Sequence, residues 1–526
     1  MNEGSAVVPV DRPSVSIGHD LYWWRHDDTG LRTAVSVYWP AGWDFERLLA
    51  VLRWFDGDGA LAAEHEVWLE ADRMLSVDSS APPVPLALAP AGGDAVLSIE
   101  LFADIEPIDS DEDRHRLYGL IDWYSEGGDI VTLHSDHCVL LEPHKLVLTE
   151  IALRPWEHQD PQLVFVTAAE ALPAGAWTLT VTNAADETMT RSIDEAWAPW
   201  RVHRIDLQQL FGDLVEFAGG RELSLTGTRV EHRTFARPYV VSGSPALSAY
   251  HGGDLYDWED MPWHRYALLG EGEVNPMIVV ETDEVTTDVT FFNTHGHLED
   301  DFWIGVRVYD GDGTLVAHEP EFRRVERNRI VAASFADLLA DVERPFAGHA
   351  AFTFTETDRH AYPGRLQALM AYRGPQSLAR IMAWSDEWNT PQRRIQRRHA
   401  DGGYLSYFRL LAAPYLETWL GVTNAGNHEL DSAADYTVII ENRAGERIAA
   451  QHTLAPWATA WEPVDTVVPG VTELLGGVNG LLLVESESDL AMVCFARHRL
   501  SGRWSAEHLM SAPTPTPDGL LWPAGC

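Results

Sequence analysis

The strongest constraint on this chain is one pattern that returns four times: alternating apolar residues, a tight turn, and the alternation resumed. Residues 303–318 show it most clearly, with Ile304, Val306 and Val308 alternating, Asp-Gly-Asp-Gly at 310–313, then Leu315 and Ala317. A period of two on both sides of a glycine-rich turn specifies a β-hairpin. Residues 48–63 repeat it with the same Asp-Gly-Asp-Gly turn at 56–59, and degenerate copies lie at 176–191 and 436–450, where Asn183 to Glu187 and Asn442 to Glu446 form the turn.

The surroundings of the hairpin recur in register. A strand pattern precedes each one, at 33–39, 162–168, 287–293 and 418–424, and a glycine-initiated strand follows. The glycines that open these strands are evenly spaced (Gly93 to Gly220, 127; Gly220 to Gly348, 128; Gly348 to Gly477, 129), which marks internal duplication. A second hairpin closes each copy, as in 366–386, giving about seven strands per unit. The expected fold is all-β: four tandem antiparallel β-sandwich repeats of immunoglobulin or fibronectin type III character. The Cys and Trp landmarks of antibody domains are absent. Periodicity fails at the expected boundaries, giving an N-terminal arm over 1–20, repeats over 21–140, 141–258, 259–390 and 391–511, and a proline-rich C-terminal tail over 512–526. Copies two and four share Ala-Pro-Trp, at 198–200 and 455–457, expected to plug the side of the sandwich.

Charge narrows the partners. With 80 acidic against 38 basic residues the net charge is −42, and Lys145 is the sole lysine. Such a surface repels nucleic acid and anionic membranes, so neither is expected as a partner. Cys138, Cys494 and Cys526 are too scattered for a disulfide framework. No basic and apolar leader opens the chain, and no apolar run reaches the length of a membrane span, so the expected compartment is the cytoplasm. A cell-surface location reached without a cleaved signal stays open.

Few residues suggest chemistry. The Asp-Gly-Asp-Gly turns resemble a calcium loop in composition, but copies two and four keep the hairpin without those acids, so turn geometry is the expected reason for them. His134, Asp136 and His137 end the last strand of copy one and form a candidate site for a divalent metal, the one cofactor the sequence suggests. The same place holds Tyr250-His251 in copy two, Trp384-Ser385-Asp386 in copy three and Trp504-Ser505-Ala506-Glu507-His508 in copy four; the aromatic replacements favour packing at a joint. Two aromatic clusters, Tyr22, Trp23 and Trp24, and Tyr256, Trp258 and Trp263, are candidate binding residues for a glycan or a protein, or seam fillers between sandwiches. Nucleophile-elbow, phosphate-loop, dinucleotide and zinc-protease motifs are absent. The expected function is therefore a non-catalytic scaffold or binding protein presenting its ligand at loops and joints. A carbohydrate-binding protein using the aromatic clusters and a metal-dependent enzyme centred on His134 to His137 are the alternatives, and self-association is a further possibility.

Overall fold

The computed structural model describes residues 13–511 apart from 27–29, 40–46, 71–72, 80–92, 109–116, 118, 136, 157–159, 244–246, 252, 256–276, 294–300, 327–328, 355–365, 375–376, 386–403, 426–431 and 489. Copy one contributes β1 (Val15–His26), β2 (Arg32–Trp39), β3 (Arg47–Phe55), β4 (Leu61–Glu70), β5 (Arg73–Asp78), β6 (Gly93–Ala103), β7 (Leu120–Tyr124) and β8 (Ile130–His134). Copy two follows with β9 (His137–Leu153), β10 (Gln162–Val166), β11 (Trp177–Thr182), β12 (Thr188–Ser192), β13 (Val202–Asp206), β14 (Leu223–Ala236), β15 (Tyr239–Ser242), β16 (Ser248–His251) and β17 (Gly253–Leu255). Copy three has β18 (Met277–Glu281), β19 (Thr286–Asn293), β20 (Phe302–Asp310), β21 (Leu315–Val325), β22 (Arg329–Ser334), β23 (Phe346–Phe354), β24 (Leu366–Gly374) and β25 (Ser377–Ser385). Copy four has β26 (Tyr404–Leu410), β27 (Leu416–Thr423), β28 (Ala434–Glu441), β29 (Arg447–Leu454), β30 (Thr459–Pro463), β31 (Gly480–Ser486), β32 (Ala491–His498), β33 (Trp504–His508) and β34 (Met510–Ser511).

Each copy is an antiparallel sandwich of two runs of four strands, ordered fourth-third-sixth-first and fifth-second-seventh-eighth, as in β4-β3-β6-β1 and β5-β2-β7-β8; β1 also pairs with β9, joining the first runs of copies one and two with β17 into one nine-stranded sheet, and β34 adds to β26 in copy four. The second-with-fifth and third-with-sixth pairings are those of the immunoglobulin sandwich. The repeated strand is thus eight per copy, not seven. Two strands per copy lie outside the recurring patterns named from the sequence: the first, represented by β1, β9, β18 and β26, and the fifth, represented by β5, β13, β22 and β30. β18, Met-Ile-Val-Val-Glu, is buried at every position, and a strand covered on both faces shows no alternation to detect. Residues 15–20, expected in an N-terminal arm, belong to β1 and pair with β6 from Val15 opposite Ala103 onward, with one irregularity between Ser16 and Gly18. The fourth strands, by contrast, lie at the outer edge and keep their alternation, as in the exposed and half-buried positions of β29. No helix among the described residues is long and apolar enough to cross a membrane.

The four sandwiches close head to tail, because the turn between the third and fourth strands of each copy docks where the fifth strand of the next begins. The four turns share one device. Asp56 Oδ1 accepts from the amides of Asp58 and Ala60, Asp310 Oδ1 from those of Asp312 and Thr314, and Asn183 and Asn442 do the same with their Oδ1 atoms. In copies two and four the amide also donates, to Glu187 and the Phe217 carbonyl and to Glu446 and the Leu474 carbonyl, tying the turn to a short helix. A carboxylate has no donor, so the Asp-for-Asn difference follows from what lies beneath the turn.

Two kinds of joint alternate around the circuit. From copy one to two and from three to four, the Asp-Gly-Asp-Gly turn meets Ala-Pro-Trp. Trp200 stacks on Phe55 with ring centres 4.2 Å apart, and Trp457 stacks on Tyr309 at 4.7 Å. Both tryptophans therefore pack against the preceding copy, which corrects the expectation that they plug their own sandwich. From copy two to three and from four to one, an arginine meets the turn. Arg329 reaches Asp186 at 2.8 Å, and Arg73 reaches Glu441 at 2.6 Å across 368 residues of sequence. The last contact closes the ring. Apolar cores run through every joint, with Val164, Val166 and Tyr239 joining the core of copy one, Phe292 and Leu369 that of copy two, Phe495 and Trp504 that of copy three, and Tyr38 and Leu120 that of copy four.

Candidate functional site

Ring closure brings one strand from each copy to the middle. β8, β16, β25 and β33 are each the free edge of a sheet, and they pack in a circuit, β8 against β16 and β33, and β25 against the same two. An exposed edge strand invites mispairing, so packing all four against one another removes a liability. The Thr132 amide on β8 donates to Ser505 Oγ on β33 at 2.7 Å, a contact across the hub.

Three of these strands, β8, β16 and β33, end in titratable side chains. His134, His251 and Glu507 are buried, and one potential ligand atom from each lies within 4.8 Å of the other two. His134 Nδ1 is 3.3 Å from Glu507 Oε2. The His134 and His251 rings meet edge to face at 4.4 Å, and His508 adds a third imidazole 5.0 Å from His134. His508 Nε2 lies 3.4 Å from Glu507 Oε1, and the His508 amide donates to that oxygen at 2.9 Å. Burial would push the Glu507 carboxyl up, but the attraction of His134, with His508 and His251 behind it, outweighs this and holds it at about 2. Glu507 is thus an anion at neutral pH, in a place with little water to solvate it.

The expected metal candidates divide. His134 joins the hub; His137 turns elsewhere, its ring 4.8 Å from that of Tyr239; Asp136 lies outside the described residues. The structure brings His134 together with His251 and Glu507, from copies two and four. The signal for that set was present, since the last strands of three copies end in His134, His251 and Glu507-His508, but a search for ligands close in sequence passes over it.

The aromatic candidates also divide. The burial of Tyr22, Trp23 and Trp24 corrects the expectation that they bind a ligand: all three lie in the core. Trp23 packs edge-on against Trp123 at 4.7 Å and donates from Nε1 to Asp94 at 2.8 Å, while Trp24 meets Trp54 at 6.0 Å. The Arg204 guanidinium from copy two covers the Trp23 ring at 4.8 Å. These rings fill copy one and its seam with copy two. Tyr256, Trp258 and Trp263 lie outside the described residues.

Arginines gather at the joints. Besides Arg73 and Arg329, Arg204 reaches Asp94, Arg154 reaches Asp288, Arg497 reaches Glu284, Arg503 reaches Asp129, and the buried Arg409 reaches Asp122, each pair crossing from one copy to another. The outer edges of copies one and three carry the opposite sign. Glu64, Glu66 and Glu70 on β4, and Glu319 and Glu321 on β21, are exposed. Exposed Trp68 on β4, half covered by Arg47 at 4.4 Å, and Leu315 on β21 interrupt the acidic edge with apolar surface.

No family model matches the sequence, and no curated protein matches it. Among solved structures the chain is similar to one described as a tetra-tandem repeat in the extending region of a large adhesion protein. That similarity is 11% identity over 94% of this chain and all of the other, with a TM-score of 0.09.

Proposed function

We propose that this chain is a non-catalytic scaffold or binding protein, a closed ring of four sandwiches whose partner engages loops and joints on the outer rim. The observation that carries this reading is the segregation of charge. Arginines from all four copies are engaged in pairs between copies, while the fourth strands of copies one and three turn carboxylates outward on a chain of net charge −42. A rim of that sign favours a cationic protein or peptide and speeds its encounter. The polar cluster at the hub is buried, so it offers a substrate no approach, which weighs against a metal-dependent enzyme. The glycan reading loses Tyr22, Trp23 and Trp24 to the core and rests on the second cluster alone.

The test is a set of fluorescence anisotropy titrations of the purified protein with fluorescent cationic, anionic and neutral peptides and a panel of labelled soluble glycans. Binding of cationic peptides alone, weakening steeply as salt is raised, is the expected result. Binding confined to a glycan, or salt-independent binding of all peptides alike, overturns the reading.

A further inference from the structure

We infer that the hub is a structural metal site, in which His134, His251 and Glu507 bind one divalent ion of the zinc type and tie copies one, two and four together at the centre of the ring. The three ligand atoms lie within 4.8 Å of one another, and the His134 Nδ1 to Glu507 Oε2 distance is already 3.3 Å. Ligands about 2.0–2.1 Å from a tetrahedral zinc stand about 3.3 Å apart, so one edge of the polyhedron is formed and the remaining separations, at most 4.8 Å, have to close by up to about 1.5 Å. Two imidazoles and one carboxylate suit a borderline divalent cation, and harder ions prefer an all-oxygen set. The fourth position falls to water or to the His508 side chain, whose Nδ1 lies 3.2 Å from the Leu509 carbonyl oxygen.

Charge balance points the same way. A carboxylate buried this deeply is held only with positive charge beside it, and a divalent cation supplies that charge. A divalent ion satisfies the carboxylate and both imidazoles with every His neutral. The two other intramolecular readings of a histidine cluster, aromatic packing and a hydrogen-bonded imidazolium, do not require the ligands to come from three different copies.

The experiment uses the full chain, stripped with chelator and then titrated with zinc and, separately, cobalt(II). The expected result is one equivalent per chain, a cobalt spectrum of tetrahedral intensity, an unfolding temperature raised by metal, and affinity that falls as pH drops because protons compete for the imidazoles. Glu507→Gln keeps the size of the side chain and should weaken zinc at least tenfold, and His251→Ala should do likewise; near-UV circular dichroism reports whether each variant keeps its packing. If a variant fails to fold, the wild-type stoichiometry and cobalt spectrum still decide the matter. Absence of stoichiometric binding by the wild-type chain, an octahedral cobalt spectrum, or binding untouched in both folded variants overturns the inference. None of these outcomes depends on whether the rim binds a cationic peptide.

Discussion

The third-to-fourth-strand turn offers one position tested four times within a single molecule. Gly59, Gly313 and Gly445 occupy it with φ of 79°, 85° and 81°, and copy two places Asp186 there at φ 65°. A side chain at positive φ costs about 1–2 kcal/mol, part of which an alanine recovers, about 0.4–1 kcal/mol, by restricting the unfolded chain. What differs among the copies is the neighbour. A Cβ on Gly313 would lie 2.4 Å from the Pro456 carbonyl oxygen and 3.1 Å from the Ala458 nitrogen, both main-chain atoms of the next copy, and one on Gly59 would lie 2.5 Å from the Pro199 oxygen. Main chain cannot step aside, so Gly313→Ala must part the joint. Overpacking costs about 1–3 kcal/mol, and loosening the Trp457 to Tyr309 stack about 0.5–1.5 kcal/mol more. Gly219→Ala supplies the control, because Gly219 sits at φ 58° with nothing within 4 Å of the added carbon. Expected losses are about 2–4 kcal/mol for Gly313→Ala and about 1 kcal/mol or less for Gly219→Ala, read from urea unfolding followed by tryptophan fluorescence and near-UV circular dichroism. Gly445→Asp should cost less than Gly313→Asp, since the atoms nearest its Cβ are the guanidinium of Arg73, the movable end of a side chain, and it would recreate the Asp186 to Arg329 pair of copy two. Equal losses for Gly313→Ala and Gly219→Ala, or a Gly445→Asp as damaging as Gly313→Asp, would refute the reasoning.

Asn442→Asp should lose about 1–2 kcal/mol in the same assay, because it removes the donor to the Leu474 carbonyl and sets two carboxylates against each other at Glu446. Arg409→Met leaves Asp122 buried without its cation and should cost about 3–5 kcal/mol, while Arg409→Met with Asp122→Asn should recover most of the loss; a double variant no better than the single one contradicts the pairing. Burial pushes the His349 pKa down to about 3. The unfolded chain binds that proton near the ordinary histidine value, so stability falls as pH drops from about 6.5 toward 3, by about 2–3 kcal/mol at pH 4.5. A flatter pH dependence of the urea midpoint in His349→Asn checks the sign.

The repeat, its hairpins and the sandwich class were legible because period-two alternation and a fixed spacing are local signals. The first strand of each copy was not, since β18 is buried at every position and β1 carries His19 and Asp20 into buried positions. The joints were half legible. Asp-Gly-Asp-Gly in copies one and three and Ala-Pro-Trp in copies two and four are complementary sequences, yet nothing local says that Trp200 lies on Phe55. The Arg73 to Glu441 closure spans most of the chain and has no sequence signature at all. The hub failed for a related reason: His134 was visible, but its companions stand in other copies, and adjacency in sequence favoured His137, which packs against Tyr239.

Joining the four sandwiches in one chain does more than hold them near one another. A ring of four identical subunits would place the same side chain at its centre four times, with four equal charges facing one axis. Here the positions can differ, and they do: a histidine from copy one, another from copy two and a glutamate from copy four share a space that identical subunits could fill only with four histidines or four carboxylates. The covalent links also make assembly independent of protein concentration, since each joint forms at the high effective concentration set by its neighbours. Continuity of the chain is what permits an asymmetric centre in a nearly symmetric body.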